Sequence, residues 1–389
     1  MAYKRQICSS SSKNSVWIVD ALTVTSMGMT FADLWRGLMA GKSAIEPIER
    51  FPVERYECSL AACIEDLSTA GPQSMTHSLI DLILEQLFPI PKDSFLITAT
   101  TKSGIDNLEK ICRKEFVHQE DVLLSSVGKR LASKLGLTTN GINISAACAS
   151  STIALGRGAA LIESGRTDTV LICCLDILSE FVFSGFSSLK ALSPKPCQPY
   201  DKDRKGLSLG EGAAVLLLMS EKRAKEINRD PLGRLLGWGA ANDAAHITAP
   251  HREGLGLIEA INRCLIKAGL DKNRVAAVSG HGTGTVYNDM MELTAIKSVF
   301  KDTSVPLYSI KGAIGHTLGA TGGIEVIVGL KALKEQVVPP TIGLVNPEKD
   351  AIGKVSPEPV PISGDFLLTM NSGFGGINGA LLLGKGEDF

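Results

Sequence analysis

The chain has 389 residues, 44% of them hydrophobic, with 40 Lys and Arg against 41 Asp and Glu. That length can bury a large core in one or a few domains, and the balanced charge lacks the basic stripe that nucleic acid binding needs. Nine cysteines, an odd number without C-x-x-C pairs, and a polar N-terminal run exclude a disulfide scaffold and lead to the expectation of a cytoplasmic protein without a membrane span.

Residues 1–15 read as a loose polar lead-in. "VWIVDALTVTSMG" reads as strand and turn, and "FADLWRGLMAGKSAI" as a helix stopped by glycine. "SFLITATT" is a buried strand, "EDVLLSSVGKRLASKLGL" an amphipathic helix ending at Gly136, and "GINISAAC" a strand. "ASSTIALGRGAALIESG" follows as a small-residue helix and "TVLICCLDIL" as a strand. A Pro-rich loop, "SPKPCQPYDKDRKGL", then leads to the strand "EGAAVLLLMS". After a change of texture near "GRLLGWGAANDAAHITAPHREG" the rhythm repeats. "GLGLIEAINRCLIKAGL" is a helix, "VAAVSGHG" a strand, "NDMMELTAIKSVF" a helix, "PLYSIK" a strand and "GATGGIEVIVGLKALKE" a helix. "DFLLTMNSGFGG" and "NGALLLGKG" close the chain as strands. Alternating strands and helices give an α/β fold. Both halves run in similar order without a sequence period, so any duplication is structural. The expected division is 16–235 and 236–389.

Cys148 stands alone among small residues at a strand-to-helix junction. A free cysteine is most often a buried core thiol. A helix start, however, favours the thiolate, and the small neighbours allow a sharp turn like a nucleophile elbow. Two other stretches join it. "SGHGTGTVYND" puts His281 at a strand end, and "IKGAIGHTLGATGG" puts Lys311 and His316 in a Gly-rich loop entering a helix. Loops after α/β strands build sites.

Together "AACAS", "HGTGT", "KGAIGHTLGATG" and "NSGFGGIN" resemble the β-ketoacyl synthases, in their elongating Cys-His-His branch. "AGKSAI", "GEGAAVLLL" and "NDAAHITAP" match in order as well. The resemblance implies the thiolase fold, five layers (αβαβα) from two similar halves. It also implies a dimer built around strands beside the Cys-bearing region. The implied reaction is a decarboxylative Claisen condensation. Cys148 takes an acyl group from a thioester, malonyl-carrier protein loses CO2, and the carbanion attacks the acyl carbonyl. Substrates ride on the phosphopantetheine arm of acyl carrier protein, with no cofactor or metal of the protein's own. His281 and His316 donate to the enolate oxygen, and Lys311 holds the second histidine and the charge balance. Asp289 and Glu292 form an acidic network. The N–H groups of Cys148 and Phe374 make an oxyanion hole, Thr283 and Thr285 bind pantetheine, and Phe374 gates the channel. Asp243, His246 and Thr248 shape the entrance.

The chain departs from the family in three places, the first being the compressed segment "DLSTAGPQSMTHSLIDLILEQ", which is expected to lack parts of the usual surface helices. "VYNDMME" lacks the usual Pro and Gly after H-G-T-G-T, and "NSGFGGIN" is one residue shorter than the usual loop. These departures point to a specialised aryl-polyene or type II polyketide member, with fatty acid synthesis the other setting, and to a homodimer or a pair with a homologous subunit. A non-catalytic chain-length-factor-like partner is the alternative, although such partners lack the nucleophile. The initiating branch carries Asn near His316, and thiolases use a late second Cys. Here the last cysteine is Cys264.

Overall fold

Ten strands carry the fold of the computed structural model, which describes residues 15–67, 70–301 and 303–386. The 1–15 lead-in expected from sequence, Cys8 included, lies outside them up to residue 14. In the first half the strands are β1 (Val16–Thr25), β2 (Phe95–Ala99), β3 (Ile142–Asn143), β4 (Thr169–Asp176) and β5 (Gly212–Ser220). In the second half they are β6 (Gly233–Asn242), β7 (Val275–Ser279), β8 (Leu307–Tyr308), β9 (Phe366–Gly373) and β10 (Ile377–Lys385). Taken in chain order, both sets measure 10, 5, 2, 8 and 9 residues. The spatial order is β8-β7-β9-β10-β6-β1-β5-β4-β2-β3, a palindrome about the β6/β1 seam. The seam itself is thin, with two paired positions, Trp17 with Arg234 and Ile18 with Gly233.

The apolar faces of these strands account for the layers. Successive side chains on a strand point to opposite faces. In β4, Leu171, Cys173 and Leu175 pack outward on Leu79 and Ile83 of helix α1 (Met75–Glu85) and Leu131 of α2 (Leu124–Leu135). Val170, Ile172 and Cys174 pack inward on Leu155 of α3 (Ser150–Glu163) and Ile324 of α6 (Thr321–Glu335). The second half-sheet does the same. Leu367 and Leu381 face the central helices, while Leu368 and Leu382 face α4 (Leu255–Ala268) and α5 (Val286–Phe300). The result is a five-layered α/β/α/β/α stack. A strand buried on both faces reads as a continuous apolar run, as "TVLICCLD" does.

Small residues in α3 and α6 have a packing cause that sequence did not reveal. The N-terminal turns of these central helices meet side by side. A Cβ on Gly322 would lie 2.2 Å from Thr152 Oγ1, and the Gly323 N–H donates to Ser151 Oγ at 3.0 Å. Only glycine lets the two backbones approach this closely. The predicted strand "GINISAAC" shrinks to Ile142–Asn143, because the chain must turn before Cys148. The stretch "GRLLGWGAAN", noted only as a change of texture, is the full-length strand β6.

Candidate active site

Cys148 lies two residues before the first residue of α3, after Ala147, whose φ of 48° is left-handed without being glycine. Such a conformation is strained and turns the thiol out of the strand direction. One donor atom each from Cys148, His281 and His316 fall within 4.8 Å of one another, and all three residues are buried. The two imidazoles stand edge to face, with centroids 5.2 Å apart. These residues sit at the base of a cavity of about 360 Å³ that also takes in Phe186, Thr283, Thr285 and Phe374.

Each histidine is held through its Nδ1 atom. Asn371 Nδ2 lies 3.2 Å from His281 Nδ1 and also donates to Glu325 Oε2 at 2.7 Å, while Thr152 donates to Asn371 Oδ1. An amide nitrogen can only donate, so His281 Nδ1 is the acceptor and its Nε2 carries the proton. His316 Nδ1 is 3.1 Å from Thr321 Oγ1, and its buried Nε2 has no hydrogen-bond partner among the described residues. That unpaired nitrogen is free for a substrate atom. Burial holds both imidazoles well below their ordinary pKa, and the Lys311 ammonium adds to the effect, so both are neutral at pH 7.

Lys311, Asp289 and Glu292 stand behind the cavity wall. Lys311 Nζ donates to Glu325 Oε1 at 2.6 Å, in a pair whose side chains are 1% and 0% exposed. Its hydrogen bond therefore goes to a carboxylate in α6 rather than to His316. Burial raises the Glu325 pKa, and the Lys311 charge opposes that rise. Glu292 accepts the N–H groups of His281 and Gly282 and the Tyr200 hydroxyl, and burial pushes its carboxyl up to about 7. Asp289 accepts from the N–H groups of Thr283, Gly284 and Tyr200 at 3.0, 3.1 and 2.9 Å. The two acids thus clamp the "HGTG" backbone and orient His281 through it. Thr283 and Thr285 share a 2.9 Å hydroxyl contact.

The electrostatics of Cys148 differ from the expectation. Burial pushes its thiol up to about 11, against the opposing pull of Lys102 and Lys311. In this compact site the loss of water outweighs both cations, and the resting group is the thiol. Phe374 is 38% exposed and stacks on Phe186 at 5.8 Å, so it is a wall residue rather than core. The loop around it is anchored by the Gly375 N–H to Ile247 O at 2.7 Å. A Cβ on Gly373 would lie 3.1 Å from the Cys148 backbone nitrogen, which places that loop against the Cys148 N–H. In the departing stretch "VYNDMME", Val286, Tyr287 and Met290 are 45%, 68% and 52% exposed, and the first two line the cavity mouth. Asp243 and Thr248 line the cavity too, while His246 is exposed and accepts the Thr248 N–H at 3.1 Å.

Sequence reading assigned no role to Glu325, Asn371, Thr152, Thr321 or Tyr200. Glu325 had a signal, as a lone acid in the apolar run "GGIEVIVGL". Asn371 lay inside a quoted motif, but its contacts come from three separate segments.

Fold and site together define a thiolase-fold acyltransferase. Family models for the N-terminal and C-terminal domains of beta-ketoacyl synthase match residues 100–224 and 232–345. Nodulation protein E of Rhizobium meliloti is 34% identical over 288 residues, which is 73% of this chain and 71% of that protein. The 3-oxoacyl-[acyl-carrier-protein] synthase 2 of Coxiella burnetii is 29% identical over 414 residues, covering 96% of this chain and 99% of its own. Among solved structures, the ishigamide ketosynthase/chain length factor superposes with a TM-score of 0.85 at 26% identity, over 96% of this chain and 100% of that one. A ketosynthase in complex with its chain length factor from Xenorhabdus doucetiae gives a TM-score of 0.78 at 25% identity, over 97% and 99% of the two chains. The chain belongs to the β-ketoacyl synthase family.

Proposed function

We propose that this protein is an elongating β-ketoacyl-acyl-carrier-protein synthase that uses Cys148 as nucleophile, with its two halves dividing just before β6 rather than at 235/236, a position inside that strand. The observation that carries the reading is the buried cluster of Cys148, His281 and His316, with the unpaired Nε2 of His316 facing the cavity. Cys148 Sγ attacks the thioester carbonyl of an acyl-carrier protein, the pantetheine thiol departs, and an acyl-cysteine remains. Its proton leaves with that thiol. Malonyl-carrier protein then enters, with its thioester oxygen between His281 Nε2–H and His316 Nε2. Preorganised donors there stabilise the enolate as CO2 departs, worth roughly 3 kcal/mol each. The enolate carbon attacks the acyl carbonyl, the Cys148 thiolate leaves, and 3-ketoacyl-carrier protein forms.

In this reading Lys311 and Glu325 hold the charge balance, Asp289 and Glu292 position His281, and Thr283 and Thr285 meet the pantetheine arm. The Cys148 and Phe374 N–H groups receive the oxyanion, and Phe374 gates the malonyl side. The donor set is served by substrates on a phosphopantetheine arm, without a further cofactor, in the cytoplasm. A polyene or polyketide system is favoured over fatty acid synthesis because the two solved structures named above are ketosynthases described together with chain length factors. The partner is a second homologous chain, either a copy of this one or a chain-length-factor-like subunit. Ile142, 41% exposed, lies on β3, whose free edge at the end of the ten-stranded sheet is offered to that partner. A purely pocket-shaping role for this chain is disfavoured by Cys148 itself. The test is to supply acyl- and malonyl-carrier protein and follow 3-ketoacyl product by mass spectrometry. Product from the wild type but none from Cys148→Ala is expected. No acyl-cysteine and no product, alone or with a partner subunit, would overturn the proposal.

A further inference from the structure

A second cavity, of about 410 Å³, opens beside the start of α2 and is separate in its lining from the one over Cys148. On its wall three buried side chains from three elements meet. Ser126 Oγ is 3.0 Å from His77 Nε2, and His77 Nδ1 is 2.8 Å from Asp121 Oδ1. His77 comes from the first turn of α1, Ser126 from the first turn of α2, and Asp121 from the 3-10 turn Gln119–Val122.

The hydrogen bonds decide the protonation pattern. Asp121 Oδ2 is occupied by the Ser74 N–H at 2.9 Å, which leaves Oδ1 for His77. A carboxylate accepts, so His77 Nδ1 carries the proton and Nε2 has a lone pair toward Ser126. The Asp121 carbonyl, 3.1 Å from Ser126 Oγ, is also reached by the Ser103 hydroxyl at 3.0 Å, so the Ser126 proton is not required there. Of the groups facing His77, burial and Arg130 disfavour its cation while Asp121 and Asp81 favour it, and burial prevails. Leu123, the N-cap of α2, supplies no side-chain cap. The Ser126 N–H donates instead to the Leu123 carbonyl at 2.9 Å, which closes the first turn and fixes the Ser126 side chain at the cavity wall. Lys129, Arg130, Ser133 and Lys134 continue the cavity wall along the same helical face.

We propose that Ser126, His77 and Asp121 form a second nucleophilic centre, an acyl hydrolase site for a small ester or thioester whose acyl group ends in an anion. His77 Nε2 takes the Ser126 proton as Oγ bonds to the acyl carbon. The tetrahedral oxyanion collapses, the bond to the alcohol or thiol breaks, and that leaving group takes the proton from His77. Water then attacks the acyl-serine with His77 as base, releasing the acid and restoring Ser126. Asp121 holds the ring and balances its transient charge. Lys129 and Lys134 on that wall receive the anionic end of the acyl group, while Arg130 is held by Asp81 and Glu120 also lines the cavity.

The experiment uses the full-length protein carrying Cys148→Ala, so that the other nucleophile cannot contribute. A fluorophosphonate probe followed by peptide mapping is expected to label Ser126, and His77→Ala is expected to suppress that labelling. Hydrolysis of 4-nitrophenyl hemisuccinate is expected to exceed that of 4-nitrophenyl acetate and to fall on the order of 100-fold in Ser126→Ala. If Ser126→Ala does not fold, labelling of the unsubstituted serine decides. A folded protein without an adduct at Ser126, or hemisuccinate hydrolysis unchanged in a folded Ser126→Ala variant, would mean that the triad only pins α1 to α2, and the proposal falls. Condensation by Cys148 is untouched by either result.

Discussion

In the first half of the molecule the turn between β3 and α3 carries Cys148. In the second half the turn between β8 and α6, at the same place in the strand order, carries Lys311 and His316. The halves diverge at the site between their last two strands. β9 and β10 are joined by a tight hairpin with Gly373 opposite Ile377. β4 and β5 are separated by residues 177–211, which include the helix Glu180–Ser188. That excursion supplies Phe186 to the cavity wall, the Ser208 carbonyl to the His316 N–H at 2.7 Å, and Tyr200 to Asp289 and Glu292. The shared architecture brings two strand ends face to face, and the unshared excursion closes and orients the site between them. Charge is divided unequally too. The fifth residue of the central helix is Ala154 in α3 and Glu325 in α6.

That charge difference gives the largest predicted effect. Lys311→Met leaves Glu325 buried without its counter-charge and is expected to cost about 3–5 kcal/mol in urea unfolding. Making the second half resemble the first, with Lys311→Met and Glu325→Ala together, is expected to recover much of that loss without restoring condensation. A single variant as stable as wild type would break the comparison. His316→Ala is expected to keep acyl loading of Cys148, read by intact mass, and to slow malonyl decarboxylation about 100- to 1,000-fold. Equal loss of both steps would mean that the second half also serves the first reaction.

The thiol in the first half gives a smaller, graded effect. With a pKa of about 11, Cys148 should be alkylated by iodoacetamide about tenfold faster for each unit of pH from 7 to 10. A plateau near pH 8 would show that the helix start and the lysines overcome burial. Phe374→Ala gives the smallest change in stability, about 1 kcal/mol, because it removes one exposed stack on Phe186 rather than a core side chain. Its expected signature is CO2 release from malonyl-carrier protein without an acyl acceptor. A loss above about 3 kcal/mol with coupling intact would make it a core residue.

Apolar periodicity was enough to read most sheet strands and the central helices, because buried strands and helix faces leave local patterns. β6 escaped because its glycines, Gly233, Gly237 and Gly239, interrupt the pattern. Each is there for an approach that only the fold creates, as where a Cβ on Gly239 would fall 2.0 Å from Ala260 O. Cys148, His281, Lys311 and His316 stood out as candidates because each sits in a short Gly- or Ala-rich turn after an apolar strand, and their roles came from the family resemblance. Their mutual placement within one buried cluster was not legible, nor were the partners Glu325, Asn371 and Tyr200, since these contacts join segments far apart in the chain. The protonation state of Cys148 also belonged to tertiary structure. A helix start acts locally and can be read from sequence, whereas the desolvation that raises the thiol depends on everything packed around the sulfur.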